Sequence, residues 1–360
     1  MAIRMKASRR APWHAGIAFT CAAALLLLPA CTPAGARAGD PVQWRFAIEE
    51  TRGSVQDAYA MEFKRRIGEK SAGAIEVSVY PYGTLGTSDH VTELLAMGTV
   101  QFAMASPGHL GTLIPEVQAF LLHFLLTGDE ATNNRALDDP ELKGAFEPLY
   151  EEKGLALLSI LSEGWMVWTT QKPVRSPADF AGVKIRTMTS PLLLAAYRAY
   201  GASPTPLPYG EVYSALQLNM IDAQVNPVFA IQEMSFYEVV DYLIFARHAP
   251  FITTVASNSE FLAQLSEGER AMVIETIHEL QPFNLEVQQR FNAERLDLIR
   301  ERKPSIKIID DLTEAERAAF REASRPVYDQ FIAMAGPRGE SVLAAIRAAV
   351  ERAKAGTGGA

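Results

Sequence analysis

Arg186 closes the short apolar run Gly182-Val183-Lys184-Ile185, and Asn226 closes Ile221-Asp222-Ala223-Gln224-Val225. Both stand where a strand would end, and open α/β sheets bind ligands beyond the carboxyl ends of their strands. A planar guanidinium there suits a carboxylate, which it can hold with two parallel hydrogen bonds. Pro227 keeps Asn226 extended and leaves its amide free to donate and accept. Strand-end arginines also occur as surface decoration, so the residue type alone does not make a site.

Other chemistry lacks support in the sequence. His14, His90, His109, His123, His248 and His278 are scattered, with no His-Glu-x-x-His pair and no cysteine cluster, so no metal is expected. There is no Gly-x-Ser-x-Gly, no phosphate-binding glycine loop and no dinucleotide fingerprint, and no cofactor is expected. Acid pairs such as Glu49-Glu50 and Asp310-Asp311 read as solvated faces. An enzyme whose catalytic groups lie far apart in sequence stays open.

The elements that position Arg186 and Asn226 follow an α/β pattern. Residues 42–48 alternate as a strand, a helix starts near Ser54, and 75–79 alternate again between Gly73 and Pro81. A short helix over 89–97, a strand over 100–104 and a turn at Ser106-Pro107-Gly108-His109 complete one unit. Strands at 155–160, 183–185 and 221–225, helices at 192–200 and 209–218, and an extended 203–208 make a second. Two such units predict two lobes. Ser266 with Glu269 and Thr313 with Glu316 are candidate capping boxes. The helical pattern over 267–303 predicts either one element about 50 Å long bracing both lobes or two helices broken at Pro282. A late strand over 305–309 could return to a sheet.

The front of the chain reads as an export leader. Arg4, Lys6, Arg9 and Arg10 precede a mostly apolar stretch, 15–30, that is short for a membrane span. Cleavage before Cys31 would allow a lipid anchor, while cleavage after Ala36-Arg37-Ala38 would release a free chain. Either route removes Cys21, so the exported protein has no internal disulfide. Five of the 34 bases and none of the 42 acids precede Gly39, leaving a charge of about −13. That balance argues against nucleic acid as a partner.

Three motifs recur in order. They are Gly182-x-Lys184-Ile185-Arg186-Thr187; Gly201-Ala202-x-Pro204-Thr205-Pro206-Leu207-Pro208 with Glu211-Val212-Tyr213; and Asp222 to Asn226-Pro227. In these the chain resembles the periplasmic solute receptors of TRAP transporters, from about Trp44 to the C-terminal helices. The resemblance implies a two-lobed α/β periplasmic binding protein with segments crossing between lobes and a long C-terminal hinge helix. Lobe 1 would comprise 42–165 with 252–295, and lobe 2 would comprise 166–251 with 296–352, after a leader and tether over 1–38. A monomer that traps a small organic acid and delivers it to membrane permease subunits is the implied function. The receptor would work in the periplasm, soluble or anchored through Cys31. No bond in the solute is made or broken; a receptor for a different small monocarboxylate, a sensor's receptor and a periplasmic enzyme on the same scaffold are the rivals.

The same resemblance assigns the site. Arg186 is implied to clamp the solute carboxylate, with Asn226 assisting. Many relatives carry a second arginine in an Asn-Gly-aromatic-Arg stretch, where this chain has Glu163-Gly164-Trp165-Met166 and lacks that charge. Trp44-Arg45-x-Ala47-x-Glu49-Glu50, Val55-Gln56-Asp57, Ser106-Pro107-Gly108 and Arg186-Thr187-Met188-Thr189 resemble the ectoine and hydroxyectoine receptors. There the acid matching Glu50 meets the cationic ring nitrogens, and aromatics matching His109, Tyr209 and Phe229 enclose the ring. His109 stands where phenylalanine is expected and Tyr209 where tryptophan is expected. His109 either adds a polar group to the cleft, signalling a hydroxylated or different ligand, or caps its turn and faces water. Trp165 is expected to line the cleft and Trp168 to pack.

Overall fold

The computed structural model describes residues 40–356, so the leader and Cys31 lie outside the described residues. The first four strands, β1 (Val42–Ala47), β2 (Ile75–Tyr80), β3 (Phe102–Ala105) and β4 (Leu155–Trp165), lie in one sheet. The chain then crosses to a second sheet, building β5 (Val167–Thr170), β6 (Lys184–Thr187), β7 (Ser203–Pro206), β8 (Ala223–Asn226) and β9 (Tyr242–Ile244). It returns to the first as β10 (Pro250–Asn258) and ends in the second as β11 (Lys307–Ile309). The strand orders are β2-β1-β3-β10-β4 and β11-β9-β5-β8-β6-β7. Both sheets are mixed: β1 runs parallel to β2 and β3, whereas β10 is antiparallel to β3 and β4.

Local sequence explains most of this. Trp44 and Phe46 turn inward from β1, while β3 and β10 are buried on both faces and read as unbroken apolar or small-residue runs. Ser54 caps helix Val55–Lys70 by accepting from the Asp57 N–H. Both predicted capping boxes form: Glu269 N–H donates to Ser266 Oγ at 3.3 Å and Glu316 N–H to Thr313 Oγ1 at 3.2 Å. Of the two readings left open for 267–303, the single helix is the one seen. Glu267–Arg302 runs unbroken through Pro282, about 54 Å long at 1.5 Å per residue. It packs on helix Val55–Lys70 and β4 at one end and on helix Val228–Glu233 at the other. That packing outweighs the backbone hydrogen bond lost at Pro282.

Some expectations shift. The turn at 106–109 is a one-turn helix, Pro107–Leu110, that starts after Ser106. Helices Glu130–Leu137 and Pro140–Glu151 and strands β5, β9 and β10 were not read from the sequence. The last helix, Pro337–Ala355, packs on Glu130–Leu137 and Pro140–Glu151, which flank β4, and on Glu314–Ala335. Trp168 packs, as expected, against Phe180 and Phe320.

His123 and His248 are buried beside the passage from β9 to β10. Their rings meet edge to face at 4.6 Å, and His248 stacks on Trp168 at 4.6 Å. Burial pushes His123 down to about 3. Burial, then repulsion from His123, holds His248 well below its ordinary value. Both stay neutral in the folded protein, whereas the unfolded chain protonates them below about pH 6.5. Their contribution to stability is therefore lost as pH falls from about 6.5 toward about 3. Other groups titrate in that range, so the expected result is a difference. Between pH 6 and 4 the unfolding free energy of His123→Gln gains on the wild type by up to ~1.4 kcal/mol per pH unit, measured by urea titration. Parallel pH curves would refute it.

Candidate functional site

The topology brings Arg186 and Asn226 together. β6 and β8 are parallel neighbours with Ile185 opposite Ala223, so both residues lie at the carboxyl ends of adjacent strands. Asn226 also pairs across to Val167, the first residue after the crossing from the first sheet. At the same place the loop after β1 delivers Glu49 and Glu50, and the turn after β3 delivers His109. A narrow cavity is lined by Glu49, Glu50, His109, Arg186, Tyr209 and Asn226, together with Ser88, Met188 and Phe251. At about 30 Å³ it admits only a water or two, so a solute must part its walls to enter. A larger depression of about 450 Å³, lined by Phe124, Arg317 and Arg321, lies elsewhere. Its cations are largely paired with Glu314, Asp311 and Glu351, so it offers little free charge.

Arg186 is 2% exposed and has no carboxylate within ion-pair distance among the described residues. Its Nε and Nη2 both donate to the Leu207 carbonyl, at 2.9 and 2.8 Å. Pro208 holds Leu207 extended, and the Leu207 N–H donates to Thr187 O, which fixes that carbonyl beside β6. Burial lowers Arg186 to about 10, partly offset by Tyr209 and Tyr82. The side chain is thus a charged guanidinium at neutral pH with donors to spare.

The opposite wall is acidic. Glu49 Oε2 accepts from the Ser106 N–H at 3.0 Å, but its Oε1 has no partner. Glu50 Oε2 is likewise buried and unpartnered. Glu163, on β4 behind them, accepts from Gln56 Nε2 at 3.0 Å through Oε1, while its Oε2 has no partner. Glu233 receives the Thr51 hydroxyl at 3.4 Å and faces Arg295 at 3.8 Å, beyond hydrogen-bond range. Burial raises all four. Glu50 is driven well above the usual carboxylate range, with repulsion from Glu163 and Glu233 added to burial. Glu163 is pushed up to about 8 and Glu233 to about 7. The pair Glu49-Glu50 is therefore no solvated face, which corrects the sequence expectation; Asp310-Asp311 is exposed as expected.

The remaining expected residues divide. Asn226 lines the cavity and donates to Gln224 Oε1 at 2.5 Å. The Tyr209 ring lies edge-on to Tyr82 at 5.5 Å, and the Gly210 N–H donates to the Tyr82 hydroxyl at 3.0 Å, tying the two sheets' loops together. His109 does not face water: its Nδ1 sits 3.0 Å from Asp89 Oδ1, and the ring is buried against the cavity. That contact is the main cause of a lowered Asp89. Phe229 is wholly buried in the core cluster that includes Tyr209 and is not among the lining residues. Trp165 is half-buried where β4 ends, opposite Pro250, and is not among them either.

Sequence reasoning missed Glu49, Ser88, Met188 and Phe251 as wall residues. Glu49 and Met188 lie within quoted motifs, so their position was a signal; Ser88 and Phe251 had none. Met188 shows how tightly the walls meet: its Sδ accepts from Ser106 Oγ at 3.7 Å, and a Cβ on Gly108 would lie 2.5 Å from it.

Comparison with known proteins gives the geometry a lineage. Residues 46–334 match the family model described as bacterial extracellular solute-binding protein, family 7. The ectoine/5-hydroxyectoine-binding periplasmic protein UehA of Ruegeria pomeroyi is 39% identical, over 85% of this chain and 89% of its own length. The ectoine-binding periplasmic protein TeaA of Halomonas elongata is 38% identical, over 83% of this chain and 87% of its own. Among solved structures, the Halomonas elongata ectoine-binding protein superposes with a TM-score of 0.83 at 37% identity, over 86% of this chain and 99% of that one. An apo open TRAP periplasmic solute-binding protein from Marinobacter aquaeolei gives 0.80 at 45% identity, over 85% and 100%. The family match runs from within β1 to the last turn of helix Glu314–Ala335, taking in both sheets and every wall of the cavity, and on it this chain belongs to the bacterial extracellular solute-binding proteins of family 7.

Proposed function

We propose that this chain is the periplasmic receptor of a TRAP transporter, a monomer that captures ectoine or 5-hydroxyectoine and delivers it unchanged to the membrane permease. One observation carries the reading: a buried guanidinium without a counter-ion faces buried carboxylates without a cation across one cavity. A small zwitterion satisfies both ends at once. Its carboxylate would take the free donors of Arg186 with help from Asn226, and its cationic ring would lie against Glu50. Tyr209 offers that ring an aromatic wall. The names of the relatives UehA and TeaA support the same solutes. His109 and Asp89 give one wall a polar edge that favours the hydroxylated form.

The lobes, in this reading 42–165 with 252–295 and 166–251 with 296–352, close over the solute by bending the crossings and the hinge helix. No helix among the described residues is long and apolar enough to cross a membrane. The receptor works in the periplasm, free or held through Cys31.

A thermal-shift screen of the exported chain tests the solute. Ectoine and 5-hydroxyectoine raise its melting temperature, and 5-hydroxyectoine does so more, because a ligand bound only to the folded state stabilises it by mass action. Stabilisation by a plain monocarboxylate but not by ectoine would sink the zwitterion assignment. Arg186→Ala weakens binding by about 3 kcal/mol, roughly a hundredfold, as two charged hydrogen bonds are lost. Calorimetry showing full affinity in that variant would remove Arg186 as the anchor.

A further inference from the structure

The stretch that lacks an arginine does more than omit a charge. Glu163 lies wholly buried on β4; its Oε2 and Glu50 Oε2 are both buried without a hydrogen-bond partner, and Glu163 repels Glu50 more than any other like charge does. Two such carboxyls in a desolvated site escape that repulsion when one of them holds a proton. Gln56 fixes the arrangement: its Oε1 accepts from the Glu49 N–H at 2.8 Å, which turns its Nε2 onto Glu163 Oε1. Gly164, at φ +108, presses against Asn292, whose Nδ2 donates to the Glu163 carbonyl at 2.9 Å, so the hinge helix locks this residue's backbone. The charged and titratable groups around the pair are Glu49 from the loop after β1, Glu233 from helix Val228–Glu233, Tyr209 before helix Val212–Gln217, Arg186 on β6, and Asp57 and Arg295 farther out. Neither Glu50 nor Glu163 has an ion-pair partner among the described residues.

We propose that Glu163 is the proton-holding partner of Glu50, and that a cationic ring entering against Glu50 expels one proton from the pair to solvent. This rests on the zwitterion reading above. One positive charge enters as another leaves, so the net charge of the desolvated wall is unchanged and the ligand need not be buried against a neutral acid. Glu163 lines no part of the cavity; it acts through Glu50, as a positioning residue that sets when Glu50 is free to pair. Solute capture is thereby tied to proton release and weakens in acid.

Two measurements test this. The first uses ligand-free protein: its infrared spectrum at pH 7 shows a protonated-carboxyl band that is lost as pH rises past about 8 and is diminished in Glu163→Gln. No such band in the wild type overturns the proposal whatever the solute is. The second is calorimetry with ectoine in two buffers of different ionisation enthalpy. Wild type releases about one proton per ligand at pH 7, and its affinity falls about tenfold per pH unit from pH 8 to 6. Glutamine keeps the contact to Gln56 but removes the like charge. Glu163→Gln therefore still binds, releases less than half as much proton at pH 7, and shifts the pH dependence about one unit toward acid. Equal release and superimposable pH profiles overturn it. If ectoine binds neither protein, the solute assignment fails and the infrared result still decides the pair.

Discussion

Uncompensated buried charge governs this molecule. Arg186 keeps its charge in a nearly dry site with one backbone oxygen for company, and Glu49 and Glu50 on the facing wall, with Glu163 and Glu233 behind them, each leave an oxygen without a hydrogen bond. Burying a charge without a partner is costly, and removing one member of a buried pair is destabilising for the same reason. The fold tolerates these groups because rigid elements hold them: Arg186 on a strand between two others, Glu163 on the long β4, and Glu50 one turn of loop beyond β1. A partner that supplies both missing charges relieves both walls together, which makes recognition strong without a large contact area.

The rest of the architecture keeps those walls apart and lets them meet. Each sheet places its functional residues at the ends of strands, and the chain passes between sheets at 165–167 and 244–250 and along the hinge helix. These crossings lie beside packed aromatics. Trp168 follows the first, and His248 within the second stacks on it at 4.6 Å. The hinge helix grips both sides by packing and by polar ties: Asn284 to the Ser162 carbonyl, and Asn292 to Glu163 and to the Phe229 N–H.

Much of this was legible in the sequence for physical reasons. Alternation and runs of apolar residues located most strands, Pro and Gly bounded them, and two capping boxes marked the long helices. Arg186 and Asn226 were legible as neighbours at one cavity because both close strands, and strand ends are where α/β sheets bind. What failed was anything decided by distant neighbours. Adjacent acids look solvated until the fold buries Glu49 and Glu50 under Ser106 and Gln56. His109 could face water or the cavity until Asp89, from another helix, claimed its ring. Phe229 and Trp165 have the size of ligand walls; in this structure one lies in the core and the other beside Pro250. β10 was invisible because both of its faces are covered, which erases the period of two.

The acidic wall also acts by exclusion. A dicarboxylate or sugar acid could offer one carboxylate to Arg186, but its other end would then approach Glu49 and Glu50 with Glu163 and Glu233 behind them. Like charges set together in a desolvated site cost several kcal/mol, more than one added hydrogen bond returns. Where a second arginine would attract a dianion, Glu163 sets a buried acid behind the cavity wall instead. Discrimination between close solutes of different charge thus needs no change in the anchor, only a change in what stands behind the wall opposite it.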